Sequence, residues 1–258
     1  EERLDLIRNL ENKYGKTIED VLKSLEEKKQ RLEELEHYDL LRVQTEKALK
    51  ETEKELEKMS ADLSKLRRKI AAELTEKIED SLKELNFLDV KFSMEFRKLG
   101  HYTAAGYDEA EFMISTNPGE PVRPLGMVAS GGELSRIMLA VKTVLAETDD
   151  IPTLIFDEID AGISGRTAQM VSEKLGVIAR SHQVICITHL PQIAAMADSH
   201  FEIRKAVEEG RTTTTIRPLN REQMTEELAR LLGGAEITEA VRQNAREMKE
   251  LAERRKSI

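Results

Sequence analysis

TLIFDEID, residues 153–160, is the stretch on which the fold of this 258-residue chain turns. Pro152 introduces it, four apolar or β-favouring residues follow, and two adjacent acids, Asp157 and Glu158, close the run. A short continuous apolar run bounded by polar residues reads as a strand buried on both faces, the pattern of a parallel sheet. Ligands bind at the carboxyl edge of such sheets, which is where the two acids fall. Adjacent side chains on an extended edge point in different directions. One carboxylate is therefore placed to hold Mg²⁺, directly or through water, and the other to orient or deprotonate a water. Standing alone, the same pair is equally well a solvated strand end.

The residues that follow narrow that choice. Residues 166–181 have a helical pattern, and QVICITH, residues 183–189, is a second apolar run ending at His189. Strand, helix and strand at this spacing call for a right-handed parallel crossover, which brings Asp157, Glu158 and His189 to one edge of the sheet. A lone histidine there is more often structural. Beside two acids it is placed to contact a terminal phosphate or to position an attacking water. Cys186, inside the apolar run, is expected in the core.

Upstream lies MVASGGELSRIMLAVKTVLAE, residues 127–147. Ser130 with Glu133 three residues on has capping-box spacing, and Leu134, Ile137, Met138, Val141, Val144 and Leu145 form one apolar helical face. Gly131 and Gly132 leave backbone N–H groups at the helix N-terminus open to close approach, where unpaired donors and the helix dipole favour a phosphate. Taken alone, an ordinary capped helix explains the segment as well. Val90, Phe92, Met94 and Phe96 alternate with polar residues, as do Phe112 and Ile114, predicting strands with Gly100 and Gly106 between them. Residues 117–124 are rich in turn formers. Residues 201–219 read as a hairpin turning near Gly210, and residues 221–232 and 235–256 as helices broken at Gly233 and Gly234. The last helix ends in Arg254, Arg255 and Lys256, which a solvated helix end explains as well as a DNA contact does.

The first hundred residues are built differently. All 6 prolines lie at or after Pro118, and of the 13 glycines only Gly15 precedes Gly100. With 34% charged residues, 4% aromatics and no Trp, much of the chain is expected outside any core. Leu56, Met59, Leu63, Leu66 and Ile70 keep the three–four spacing of a coiled-coil seam, whose knobs need a partner helix. The spacing then becomes fours through Leu74, Ile78 and Leu82, ending at Leu85, which relaxes a left-handed supercoil. Ile18, Leu22, Leu25, Leu32 and Leu35 form another amphipathic stretch, and His37, Tyr38 and Asp39 interrupt it, so a kink or helix break is expected there. Residues 1–14 read as a separate helix ended by Gly15, which can take a left-handed cap conformation. A coiled-coil arm is the favoured reading over a helix packed on a globular body, because so narrow a strip cannot make a broad core.

LENKYGKT, residues 10–17, ends like a phosphate-binding loop, but Leu10 stands at the first glycine position and no apolar strand precedes it, so nucleotide binding is not assigned there. No other segment supplies that motif. The net charge of −9 argues against a surface built wholly to hold nucleic acid, although a local basic patch remains compatible with it. One cysteine excludes an internal disulfide and points to a reducing compartment. No apolar run of about 18 residues and no leader pattern is present, and a chain opening on Glu1 is expected to be a piece of something longer.

SGGELSR, LIFDEID, GISG and ITHLPQIAAMAD, in this order and spacing, closely resemble the C-terminal half of the RecN family, bacterial DNA-repair proteins in the SMC-like branch of the ABC ATPases. RLDLIRNLENKYG and the seam after it resemble that family's distal coiled coil. The resemblance implies an α/β fold, the C-terminal lobe of an ABC-ATPase head with a mostly parallel sheet and flanking helices (residues 87–258), carrying a long coiled-coil arm (residues 1–86). It implies that Ser130, Gly131, Gly132 and Glu133 are the ABC signature, contacting ATP held on an opposing subunit. Asp157 becomes the Mg²⁺ residue and Glu158 the catalytic carboxylate, with Gly162, Ser164 and Gly165 in the D-loop and His189 as the switch histidine. Many ABC D-loops end in Asp, whereas GISG has no acid.

The lobe carrying the Walker A loop and Q-loop is missing, so the chain alone is expected to bind ATP weakly or not at all. Joined to its N-terminal lobe it is expected to hydrolyse ATP across a head-to-head homodimer, with ATP and Mg²⁺ as cofactors and DNA as partner. The resemblance further implies double-strand break repair, recombination and the SOS response, and a cytoplasmic, nucleoid-associated protein without membrane contact. The alternative is a structural or interaction module that works through its arm without catalysis. A transporter subunit is disfavoured, since those lack a charged arm of this length.

Overall fold

The computed structural model describes residues 1–87, 89–128, 130–146, 148–208, 211–234 and 236–256. It divides into two units, Glu1–Lys65 and Leu66–Ile258.

In the first unit, helix α1 (Glu2–Tyr14) buries no side chain. Gly15 ends it, but with φ 161° and ψ 161° the residue is extended and not left-handed. Glycine is required there for space: a Cβ would stand 2.2 Å from the Asp20 Cβ. Thr17 and Asp20 then start helix α2 (Ile18–Glu84) with reciprocal bonds. The Asp20 N–H donates to Thr17 Oγ1 at 3.2 Å and the Thr17 N–H to Asp20 Oδ2 at 3.1 Å. The threonine that mimics a phosphate-loop residue is thus a helix cap. Lys28 lies 4.0 Å from the Tyr14 ring centroid.

Helix α2 is continuous through His37, Tyr38 and Asp39, so of the two expected alternatives, kink or break, the break is absent. Those residues interrupt the apolar seam and not the backbone. None is Gly or Pro, and the i to i−4 ladder does not depend on which face is apolar.

In the second unit, the last turns of α2 enter the main core. Leu66 and Ile70 are exposed, Leu74 is half-buried, and Ile78, Leu82 and Leu85 are fully buried. The change from seam spacing to steps of four therefore marks where the helix starts to pack on the body. A fully buried Leu or Ile contributes about 1.5–3 kcal/mol.

Strands β1 (Lys91–Thr103) and β2 (Gly106–Ser115) form an antiparallel hairpin in which Phe92 faces Ile114 and Met94 faces Phe112. The Phe92 and Phe112 rings lie 5.3 Å apart. The register shifts between Lys98 and Thr103, the stretch that holds Gly100. A two-residue strand β3 (Arg123–Pro124) adds to β2. Helix α3 (Gly131–Leu145) buries Ile137, Leu139, Ala140 and Val141 against strand β4 (Thr153–Phe156) and helix α4 (Gly165–Ile178).

Strand β5 (Gln183–Cys186) pairs parallel to β4, Leu154 opposite Val184 and Phe156 opposite Cys186. It is shorter than the apolar run predicts: the Ile187 N–H still donates to the Phe156 carbonyl, and the chain then turns away. Among the described residues this is the one parallel pair; the other pairs are antiparallel, in small sheets flanked by helices.

Helix α5 (Pro191–Met196) follows, then the hairpin of β6 (His200–Glu208) and β7 (Arg211–Leu219). Its expected turn at Gly210 lies outside the described residues. Helix α6 (Arg221–Gly233) starts with a complete capping box between Asn220 and Gln223. The last helix, α7 (Glu239–Lys256), begins later than the pattern predicts, and Thr238 Oγ1 accepts from the Val241 N–H. Helices α5, α6 and α7 share a second core around Ala195, Met196, Leu228, Ala229 and Ala245. The terminal basic cluster is paired within the unit: Arg254 with Glu250, Arg255 with Glu173 and Lys256 with Asp198.

Candidate functional site

The site grows from the turn that leaves β4. Glu158 has φ 56°, a left-handed conformation uncommon outside glycine that costs on the order of 1 kcal/mol or more. Asp157 supports it, its Oδ1 accepting from the Glu158 N–H at 2.9 Å. The Ala161 N–H donates to the Glu158 carbonyl at 3.0 Å and closes the turn. Asp157 and Glu158 are both exposed, while Ile159 and Asp160 point into the protein.

Helix α3 clamps this turn. Ser135 Oγ donates to the Asp157 carbonyl at 2.8 Å, and Arg136 Nη1 donates to the Ala161 carbonyl at 2.9 Å. Arg136 is buried, which pushes its guanidinium below its usual range despite nearby Glu133. Its charge is stacked 5.5 Å from the Phe87 ring centroid.

The two glycines are packed against the same turn. A Cβ on Gly132 would stand 2.8 Å from the Ala161 Cβ and 3.0 Å from the Glu158 carbonyl oxygen. One on Gly131 would stand 2.5 Å from Glu158 Oε2. The Glu158 carboxylate therefore sits beside the N-terminus of α3, where the helix dipole favours an anion. Ser130 caps that helix, its Oγ accepting from the Glu133 N–H at 3.4 Å.

Asp160 ties the turn to the end of β5. This carboxylate is 5% exposed, and its Oδ2 takes two donors, Thr188 Oγ1 at 2.6 Å and the His189 N–H at 2.8 Å, with His189 Nδ1 2.9 Å from the same oxygen. The structure thus brings Asp157, Glu158 and His189 to one sheet edge, as the crossover predicts. Gly162 and Gly165 follow with φ 71° and 53°, and a Cβ at either would meet nothing, so glycine serves backbone conformation there. Ser164 is exposed at the N-cap of α4. Cys186 is half-buried against the core, and burial pushes its thiol up to about 12, an inert residue.

Sequence reasoning missed Asp160, Ser135 and Arg136. The capping-box and strand signals concern neighbours along one element, whereas these three act across the gap between elements. The last acid of DEID was the available signal for Asp160. Among the described residues, no group of three or more His, Cys, Asp or Glu side chains could hold a metal ion by itself. The exposed, adjacent carboxylates of Asp157 and Glu158 are the kind of donors that hold Mg²⁺ together with substrate phosphates.

No protein-family model matches the chain. It is 42% identical to a DNA repair protein RecN of Halalkalibacterium halodurans over 98% of this chain and 45% of that protein. It is 37% identical to a DNA repair protein RecN of Bacillus subtilis over 100% of this chain and 47% of that protein. The chain thus spans about half the length of these curated relatives. A solved Smc head domain with a coiled coil and joint from Pyrococcus yayanosii matches with a TM-score of 0.50 at 20% identity, over 82% of this chain and 38% of that one. At that identity the likeness is one of fold. No helix among the described residues is long and apolar enough to cross a membrane.

Proposed function

Because the chain belongs to the RecN family and matches about half the length of its relatives, we propose that it supplies one side of a composite ATP site in an SMC-like DNA-repair ATPase. The observation that carries this reading is the convergence of Asp157, Glu158 and His189 at the edge of β4 and β5, beside the glycine-rich start of α3. Asp157 would hold Mg²⁺, which would neutralise phosphate charge. Glu158 takes the proton of the attacking water, and His189 faces the terminal phosphate. Ser130 and the backbone N–H groups of residues 131–133 contact ATP held on an opposing copy, and Gly162, Ser164 and Gly165 line that junction.

The Walker A loop comes from an N-terminal lobe of the complete protein. Support for that lobe is an uncovered apolar face: Ile155, Ile185 and Ile187 are 68%, 45% and 50% exposed. Beside them lies a groove of about 280 Å³ lined by Leu134, Met138 and Ile155. In the complete protein, Glu158→Gln abolishes turnover and preserves ATP binding and dimerisation; undiminished hydrolysis removes Glu158 from the mechanism.

A second reading, an interaction module working through the arm, draws on the exposed seam at Leu56, Met59, Leu66 and Ile70. Mixing this chain with the N-terminal lobe separates the two. ATPase activity restored by the mixture favours the first, and a partner bound without ATP favours the second. DNA double-strand breaks are the substrate expected of the complete protein.

A further inference from the structure

We propose that Asp160 is a positioning residue for His189, holding the imidazole in its Nδ1–H form so that Nε2 is the nitrogen presented to the site. The proposal rests on the reading of His189 as a phosphate-facing residue and deepens it. Two donors converge on the single oxygen Oδ2, Thr188 Oγ1 at 2.6 Å and the His189 backbone N–H at 2.8 Å, and the His189 ring Nδ1 lies 2.9 Å from the same oxygen. A hydrogen on Nδ1 makes this close approach to a carboxylate oxygen attractive, whereas a bare Nδ1 lone pair would face it repulsively, so the contact favours the Nδ1–H form. One of these donors, Thr188 Oγ1, also accepts from the Leu190 N–H at 3.0 Å and fixes the loop from its other side. Asp160 is buried, whereas the His189 side chain is 74% exposed. The arrangement is a fixed base under a projecting ring.

The same turn holds both reacting side chains. Glu158 sits in a left-handed conformation two residues before Asp160, and Ser135 and Arg136 clamp the turn at the Asp157 and Ala161 carbonyls. Any shift of the turn therefore moves Glu158 directly and His189 through Asp160. A merely structural Asp160 would need only the Thr188 and His189 backbone donors, and the ring would be indifferent to it.

The test reads the tautomer in this chain and turnover in the complete protein. With ¹⁵N-labelled histidine, long-range ¹H–¹⁵N spectra at pH 8 show His189 as the Nδ1–H form. Asp160→Ala removes the acceptor, and Nε2–H appears. Asp160→Asn keeps the shape and guards against a folding defect; its amide offers both a donor and an acceptor, so the ring becomes a mixture. Thr188→Val leaves the wild-type tautomer. A wild-type ring already mixed, or one unchanged in both Asp160 variants, overturns the proposal. In the complete protein Asp160→Asn lowers kcat roughly tenfold or more with KM for ATP within about twofold; a changed tautomer with unchanged kcat overturns the positioning role. A complete wild-type protein without ATPase activity sinks the hydrolysis reading instead, and the spectra still decide the tautomer.

Discussion

Gly131→Ala and Gly132→Ala each add one methyl group, at adjacent positions, yet the structure assigns them different consequences. At Gly132 the new Cβ would meet the Ala161 Cβ at 2.8 Å, the Glu158 carbonyl oxygen at 3.0 Å and the Ala161 carbonyl oxygen at 3.2 Å. These atoms belong to a turn closed by its own hydrogen bond and clamped by Arg136, so helix and turn must separate by a few tenths of an ångström. Overpacking of this kind costs about 1–3 kcal/mol. The helix preference of Ala over Gly returns up to about 1 kcal/mol. The net is a loss of roughly 1–2 kcal/mol, or a fall in Tm of about 2–8 °C.

At Gly131 the obstacle is Glu158 Oε2 at 2.5 Å, the end of a flexible side chain that can swing away. Gly131→Ala is therefore expected within about 0.5 kcal/mol of wild type or slightly more stable, while displacing the carboxylate that the proposed reaction uses. Thermal melts of this chain followed by circular dichroism, with hydrogen exchange along α3 and β4, measure the first effect, and turnover in the complete protein measures the second. A Gly132→Ala chain as stable as wild type, or a Gly131→Ala chain the less stable of the two, would refute this account of the glycines.

Glu158→Asn should stabilise the chain by up to about 1 kcal/mol, because Asn tolerates the left-handed backbone better than Glu does; denaturant titration checks it, and a loss of stability would show that the conformation holds no strain. His200 supplies a pH dependence. Burial pushes its imidazole down and nearby Lys249 adds to this, against the Ala194 carbonyl and Glu227, which raise it. The unfolded chain then binds the proton more readily near pH 6.5, so stability falls as the pH drops below that value, with a slope of at most about 1.4 kcal/mol per pH unit for one linked proton. Melts between pH 7.5 and pH 5 should show a shallower dependence in His200→Gln, and parallel curves would exclude His200 as the source.

Much of the architecture is legible along the chain because it depends on near neighbours. The 3.6-residue period of α3, the Ser130 and Asn220 caps and the short apolar runs of β4 and β5 each follow from residues a few positions apart. The crossover rule then suffices to bring Glu158 and His189 to one edge. Local signals reported backbone conformation less well: a seam interruption at His37 did not break α2, and Gly15, able to take a left-handed cap, is extended.

The sequence by itself determined which candidate residues gather at the edge of β4 and β5. Only the tertiary structure decided what aims them. Asp160 reaches across 29 positions to His189, and Arg136 across 25 to Ala161, distances at which no periodicity operates. Even the glycines change meaning: along the chain they open backbone N–H groups to a phosphate, and in the fold they make room for the Glu158 turn. The physical reason is that a hydrogen bond or a steric clash between elements depends on how the core seats them, and the core is assembled from residues far apart in sequence.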